Sequence, residues 1–177
     1  MLREPLSYSQ LTLNQIQIRG YSPGVIGEVT KIHGKYYSKN WELDASFETE
    51  VGIEFAEFIS EFQSDRDGLW VAYYQDQFAG SIAIDGRQAD RMGSRLRWFI
   101  VAPEFQGLGL GRVLMKMAIQ FCQDTQQAPI YLWTFSGLDT AHHLYRAFGF
   151  QLVEEHSVVK WGRSLRVQKF QLDFRVS

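Results

Sequence analysis

Two hydrophobic periodicities share the chain, and they come in blocks. Ile16-Gln17-Ile18-Arg19 alternates apolar and polar residues ahead of Gly20 and the Ser22-Pro23-Gly24 turn signals, the pattern of a short strand with one buried face. Val25, Val29, Ile32 and Tyr36 then recur at spacings of three and four, which predicts a helix ending near Tyr37. Phe47, Val51, Phe55, Phe58, Ile59 and Phe62 repeat that spacing with Glu50, Glu54, Glu57 and Glu61 on the opposite face, so a second amphipathic helix is expected. Leu69 to Tyr74 and Phe78 to Ile84 are β-rich runs separated by Gln75-Asp76-Gln77 in the manner of a hairpin. After a polar turn over Asp85 to Ser94, Leu96 to Val101 is a further strand, stopped by Pro103, which has no amide hydrogen for a ladder.

Helical spacing returns in Leu110, Val113, Leu114, Met117, Ala118, Phe121 and Cys122. Ile130 to Phe135 is almost wholly apolar, as in the centre of a sheet. Ala141, Leu144, Tyr145 and Phe148 share one face of a short helix that Gly149 caps. Phe150 to Val153 and Leu165 to Phe174 close the chain as strands. In the last one the alternation changes parity between Val167 and Phe170, which predicts a bulge near Gln168 or Lys169. The element order predicts an α/β (α+β) domain, a mixed sheet flanked by helices.

Composition narrows the function classes. A length of 177 residues with 45% hydrophobic content suits one domain spanning 1–177, with 1–14 as a loosely ordered N-terminal segment. A formal net charge of -2 lacks the basic excess that binds nucleic acid, so no nucleic-acid partner is expected. No apolar run approaches the roughly 20 residues of a membrane span, and Met1 to Gln10 lack the apolar stretch of a signal peptide, so a soluble cytoplasmic protein is expected, not a membrane one. Cys122 is the only cysteine, and His33, His142, His143 and His156 show no ligand spacing, so no metal is expected.

The chemistry is concentrated in Gln106-Gly107-Leu108-Gly109-Leu110-Gly111-Arg112, a glycine loop between a strand and a helix. Glycines let backbone approach phosphate oxygens, and the unpaired amides and dipole of a helix N-terminus favour anions. A Walker A loop would need Gly-Lys-Ser/Thr, but Gly111 is followed by Arg112 and Val113. A dinucleotide fingerprint would need glycine at 112 and an acidic residue in a strand about 20 residues on, and has neither. What fits is Gln/Arg-x-x-Gly-x-Gly/Ala, met by Gln106, Gly109 and Gly111, followed by Ala141-His142-His143-Leu144-Tyr145-Arg146-Ala147-Phe148-Gly149-Phe150 in the form A-x-x-L-Y-x-x-x-G-F.

These two motifs resemble those of the GNAT (GCN5-related N-acetyltransferase) superfamily. More narrowly, His33-Gly34-Lys35-Tyr36-Tyr37, Leu132-Trp133-Thr134 and Glu154-Glu155-His156-Ser157 resemble the GNAT domain of MarR-GNAT fusion proteins. The resemblance implies an acyl-CoA N-acyltransferase fold with a mostly antiparallel central sheet. It implies acetyl-CoA (coenzyme A) as co-substrate and transfer of its acetyl group to an amine of a small molecule or peptide, by direct attack in a ternary complex. A non-catalytic acyl-CoA-binding sensor is the alternative. The cofactor would lie along Phe99, Ile100 and Val101 and on the amides of Gln106, Gly107, Leu108, Gly109, Leu110, Gly111 and Arg112. Tyr145 is the implied general acid, protonated at neutral pH and able to serve a leaving thiolate.

Where many family members carry an asparagine three residues before Ala141, this chain has Leu138, so that contact comes from Ser136 or Asp139 or is absent. Glu42 and Asp85 are the first candidates for a general base, and Tyr36, Tyr37, Trp41 and Trp161 for walls of the acceptor site. The acidic stripe of the second helix reads as a solvated face, His142 and His143 as surface residues, and Cys122 as a core residue. The assembly is expected to be a monomer or a homodimer.

Overall fold

The computed structural model describes residues 11–175. Its strands are β1 (Gln17–Arg19), β2 (Gly68–Tyr74), β3 (Gln77–Asp85), β4 (Ser94–Val101), β5 (Ile130–Phe135), β6 (Gln151–Lys160) and β7 (Arg163–Leu172). The helices are α1 (Val25–Trp41), α2 (Ala45–Ser60), α3 (Leu110–Asp124) and α4 (Asp139–Ala147). The strands form one sheet in the order β1-β2-β3-β4-β5-β7-β6, antiparallel everywhere except between β4 and β5.

The sheet is apolar on both faces because a helical layer covers each. On one side Val25, Val29, Phe47, Val51, Phe55 and Phe58 of α1 and α2 pack on Val71, Ala83, Trp98 and Phe135. On the other side Leu110, Leu114, Met115, Ala118 and Cys122 of α3 pack on Ile82, Ile84, Leu96, Ile130 and Leu132, with Tyr145 of α4 in the same cluster. Cys122 is fully buried, and burial pushes its thiol up to about 12, so it stays a protonated packing group.

Two irregularities shape the middle of the sheet. Ser81 of β3 pairs with Ile100 and Ala83 with Arg97, so β4 carries an extra residue there. Trp98 takes a left-handed φ of 45° at that bulge, and the Ser81 hydroxyl donates to its carbonyl at 2.7 Å. Next to it, β4 pairs with β5 only through Ser94–Ile130 and Arg95–Tyr131. Beyond Arg95 the two parallel strands part.

Several expectations are corrected here. The bulge near the C-terminus lies on β6: Leu152 and Glu154 face consecutive residues Phe170 and Lys169, leaving Val153 as the extra residue opposite β7. β6 runs seven residues past Val153, to Lys160, and its mostly exposed residues carry no apolar alternation to announce it. α1 continues a turn beyond Tyr37 because Trp41 packs edge-on against Phe135, and it stops at Glu42 with φ 55°. Of the segment 1–14, residues 1–10 lie outside the described residues, whereas Leu11 is buried in the α3-side core and Leu13 packs against it. The hairpin turn is the two residues Gln75 and Asp76, both at positive φ, as a tight β-hairpin requires.

Two stability predictions follow from this frame. Gly93 sits at φ +90° where β4 meets β5, and a Cβ there would lie 2.2 Å from the Pro129 carbonyl oxygen that accepts from Ser94 N–H. Gly93→Ala should therefore cost about 2 kcal/mol or more, a fall in Tm of some 4–8 °C for a chain of this size, measured by thermal unfolding. The second concerns His33 of α1, which is buried and donates from Nδ1 to Val29 O at 2.8 Å if that nitrogen carries the proton. Burial lowers its pKa to about 4, only partly offset by that hydrogen bond. A depressed folded pKa means the unfolded chain binds a proton near 6.5 that the folded chain refuses. The stability is thus intact above pH 6.5 and lost as pH falls toward 4, by about 3 kcal/mol in total. Denaturant melts of wild type and His33→Gln across pH 7 to 4 should show a shallower decline in the variant.

Candidate functional site

The parting of β4 from β5 creates one continuous opening with a cleft on either side. The first cleft, about 460 Å³, runs from Phe99, Ile100 and Val101 across the glycine loop to α4, and its far wall is Tyr36, Trp41 and Leu138. The second, about 400 Å³, lies between β4, β5, α2 and the β6–β7 hairpin. Tyr37, Phe99 and Tyr145 line both. The Phe99 and Tyr145 ring centroids are 6.3 Å apart, which marks the junction.

The glycine loop is built to present amides. Gly107 and Gly109 have φ of +82° and +85°, conformations that any Cβ would strain, and Gly109 is the N-cap of α3. Arg112 N and Val113 N already donate to Gly109 O. The preceding amides, from Gly107 to Gly111, have no acceptor among the described residues, so five successive N–H groups gather where the helix dipole is positive. Gln106 Nε2 donates to Val101 O at 3.1 Å and ties the loop to the strand end. Of the ten residues expected at the cofactor, Leu108 alone is not on this cleft; it packs against the core instead.

Tyr145 is 6% exposed at the junction, and its hydroxyl makes no hydrogen bond to the described residues. Burial, with a smaller contribution from Tyr37, holds its phenol well above the ordinary value, so the hydroxyl keeps its proton across the neutral range. The ring packs among Phe150, Phe170 and His142. His142 is thus not a surface residue: it is 7% exposed, packs on Phe170 at 5.2 Å, and leaves Nε2 without a partner. His143 is exposed and lines the first cleft. Leu138 lines it too, with Asp139 beside it, whereas Ser136 does not.

The second cleft carries most of the charge that sequence reasoning placed elsewhere. Glu50 and Glu54 of the acidic stripe are not merely solvated: Glu50 accepts from Lys160 at 2.8 Å and Trp161 Nε1 at 3.0 Å, and Glu54 pairs with Arg97. Burial pushes the Glu50 carboxyl up, but those hydrogen bonds outweigh it and leave its pKa below the usual range. Arg95, Arg97, Lys160 and His156 complete the polar lining. None of these was singled out as a site residue from sequence, and only the facing of Arg95 and Arg97 two apart on one strand could have signalled them.

The base candidates fall outside both clefts. Glu42 binds Arg163 at the surface, and Asp85 is buried at the end of β3 between Arg87 and Arg97. The expected acceptor walls divide: Tyr37 and Trp161 line the second cleft, Tyr36 and Trp41 only the first. Among the described residues no group of His, Cys, Asp and Glu is arranged to hold a metal, and no helix is long and apolar enough to cross a membrane.

Comparison with known proteins places this architecture. A Danio rerio N-acetylaspartate synthetase is 33% identical over 87 residues, 49% of this chain and 30% of its own length. The chain thus spans about a third of the curated relatives it matches. Salmonella typhimurium yncA, solved with its cofactor acetyl-CoA, has a TM-score of 0.74 at 20% identity, covering 93% of this chain and 96% of that one. A spermidine N-acetyltransferase chimera that includes Vibrio cholerae sequence has a TM-score of 0.67 at 19% identity, covering 90% and 95%. At these identities the structures speak for the fold alone. The acetyltransferase (GNAT) family pattern matches residues 28–150, from α1 through α4 and both sequence motifs, and the chain therefore belongs to that family.

Proposed function

We propose that this chain is an acetyl-CoA-dependent N-acetyltransferase in which the first cleft holds coenzyme A and the second holds an amine. The observation that carries this reading is the meeting of the two clefts at Phe99 and Tyr145, through a gap that β4 and β5 leave open. Both partners then reach one point without passing through the core. That is what direct transfer within a ternary complex needs, because its rate gain comes from proximity and orientation.

The first cleft fits the cofactor. Five unpaired amides at a helix N-terminus suit a pyrophosphate, and the open space at Gly107, where a Cβ would meet nothing within 4 Å, admits its oxygens. Phe99, Ile100 and Val101 offer an extended strand edge to the pantetheine arm, since β5 takes up none of their hydrogen bonds. When bound, acetyl-CoA supplies an activated thioester carbonyl and a thiol leaving group. An unpaired amide of that edge supports developing negative charge on the carbonyl oxygen. Tyr145 keeps the proton on its hydroxyl oxygen at the junction, so a proton is present there to donate and the group is not available as a base. An ordinary core tyrosine would bury its hydroxyl against a partner, whereas this one has none among the described residues.

Two measurements separate binding from chemistry. Gly109→Val forces a β-branched side chain into a left-handed N-cap and should weaken acetyl-CoA binding at least tenfold by calorimetry, with the fold retained by circular dichroism. Undiminished affinity would remove the loop from the cofactor site. Tyr145→Phe keeps the ring packed with Phe150 and Phe170 and removes only the hydroxyl. Its kcat for thiol release should fall roughly 100-fold, with acetyl-CoA affinity unchanged, and the loss should shrink with a thioester of lower leaving-group pKa. Wild-type kcat in that variant would reduce Tyr145 to packing, and binding of acetyl-CoA with no turnover of any amine would favour a cofactor-sensing module.

A further inference from the structure

Every charged group on the second cleft has a counterpart except one. Glu50 is held by Lys160 and Trp161, Glu54 by Arg97, and His156 lies 3.4 Å from Glu154. His33 is neutral at any pH above about 4 because it is buried. The Arg95 side chain has no hydrogen bond or ion pair among the described residues, and its Nε is buried without a partner. It stands in the last β4–β5 pair, opposite Tyr131, at the floor of the cleft where the strands begin to part.

This is a costly arrangement for a residue of no use. The half-buried guanidinium has its Nε taken out of water without an acceptor, which forfeits solvation that nothing in the fold returns. Burial accordingly lowers the pKa of Arg95, with Tyr131, Asp85 and Glu50 opposing from a distance too great for a hydrogen bond. Counted together, the cleft holds Arg95, Arg97 and Lys160 against Glu50 and Glu54, one positive charge in excess. A polyamine would meet that excess as repulsion. A carboxylate would meet in Arg95 a planar fork whose donors match its two oxygens.

We infer that the acceptor of this site is a carboxylate-bearing amine, such as an amino acid, whose carboxylate is bound by Arg95 on the floor of the second cleft. The inference rests on reading that cleft as the acceptor site, and it names the substrate class that the reading leaves open. The carboxylate anchors the molecule at Arg95, and the amine is left to point toward the junction at Phe99 and Tyr145.

Succinate and putrescine test it, since they have equal chain length and opposite charge. Calorimetry on the coenzyme A-loaded protein should show binding of succinate and none of putrescine. Arg95→Met, which keeps the stem and removes the charge, should weaken succinate at least tenfold, and Arg95→Lys should restore part of the loss. Acetyl-CoA affinity should be the same in all three proteins. Because the charge is unpaired in the fold, Arg95→Met should melt at or above the wild-type temperature, which separates loss of the site from loss of structure. In turnover, amino acids should be acetylated and their decarboxylated amines should fall at least 100-fold in kcat/KM, with Arg95→Met raising KM far more than it lowers kcat. Equal succinate affinity in wild type and Arg95→Met, or putrescine binding as tightly as succinate, would overturn the assignment. If acetyl-CoA failed to bind while succinate still required Arg95, the acetyltransferase reading would fall and the carboxylate site would stand.

Discussion

In a parallel strand pair the ladder ordinarily runs as long as both strands do, because each unpaired backbone group that stays buried costs free energy. Here β4 and β5 are eight and six residues long, yet they pair through two registers only. The bulge at Trp98 sets this up. Its extra residue and left-handed backbone turn the second half of β4 away from β5, and the Ser81–Trp98 hydrogen bond locks that course against β3. The freed edge is stabilised on both sides by packing: Trp98 is wedged against Phe55 and Phe58 of α2, and Phe99 lies near Gly111 and Tyr145. A gap held open by two hydrophobic layers is what lets one cleft reach the other.

The same constraint explains why the two helical layers contribute different things. α3 begins where β4 ends, so its N-terminal amides and the open strand edge face one cleft. α2 lies over β4 from the other side, and it brings carboxylates, which draw Arg97 and Lys160 into pairs and leave Arg95 as the cation of this cleft with no side-chain partner among the described residues. α4 crosses at the gap itself and carries Tyr145 to the point both clefts share. In the proposed reading, anion recognition, proton donation and acceptor selection are thus distributed over three elements that meet at the split in the sheet.

Much of this was legible in the residues, for physical reasons that can be named. The stripe on α3 and the glycine loop at its start are strong because the helix is buried on one face, and the β-rich runs of β2 and β3 are strong because nearly all their residues are buried. β6 was foreshortened because an exposed edge strand owes nothing to hydrophobic alternation, and the parity change in β7 reported a bulge that sits on its neighbour, since a register shift belongs to a pair of strands. His142 was misplaced on spacing alone: it is one step off the Tyr145 stripe, but Phe170 of β7 closes over it. The second cleft was the least legible part. Glu50, Glu54, Arg95, Arg97 and Lys160 come from three distant segments, and nothing local to any of them tells which charges find partners and which do not.

Amide hydrogen exchange on the protein with and without acetyl-CoA tests the split-sheet site most directly. If the cofactor spans the gap, the amides of Gly107 to Gly111, which have no acceptor among the described residues, and those on the open edge of Phe99 to Val101 should exchange more slowly when acetyl-CoA is present, while the far strands β1 and β2 stay unchanged. Protection confined to other segments, with the loop and the open edge exchanging at the same rate in both states, would contradict it.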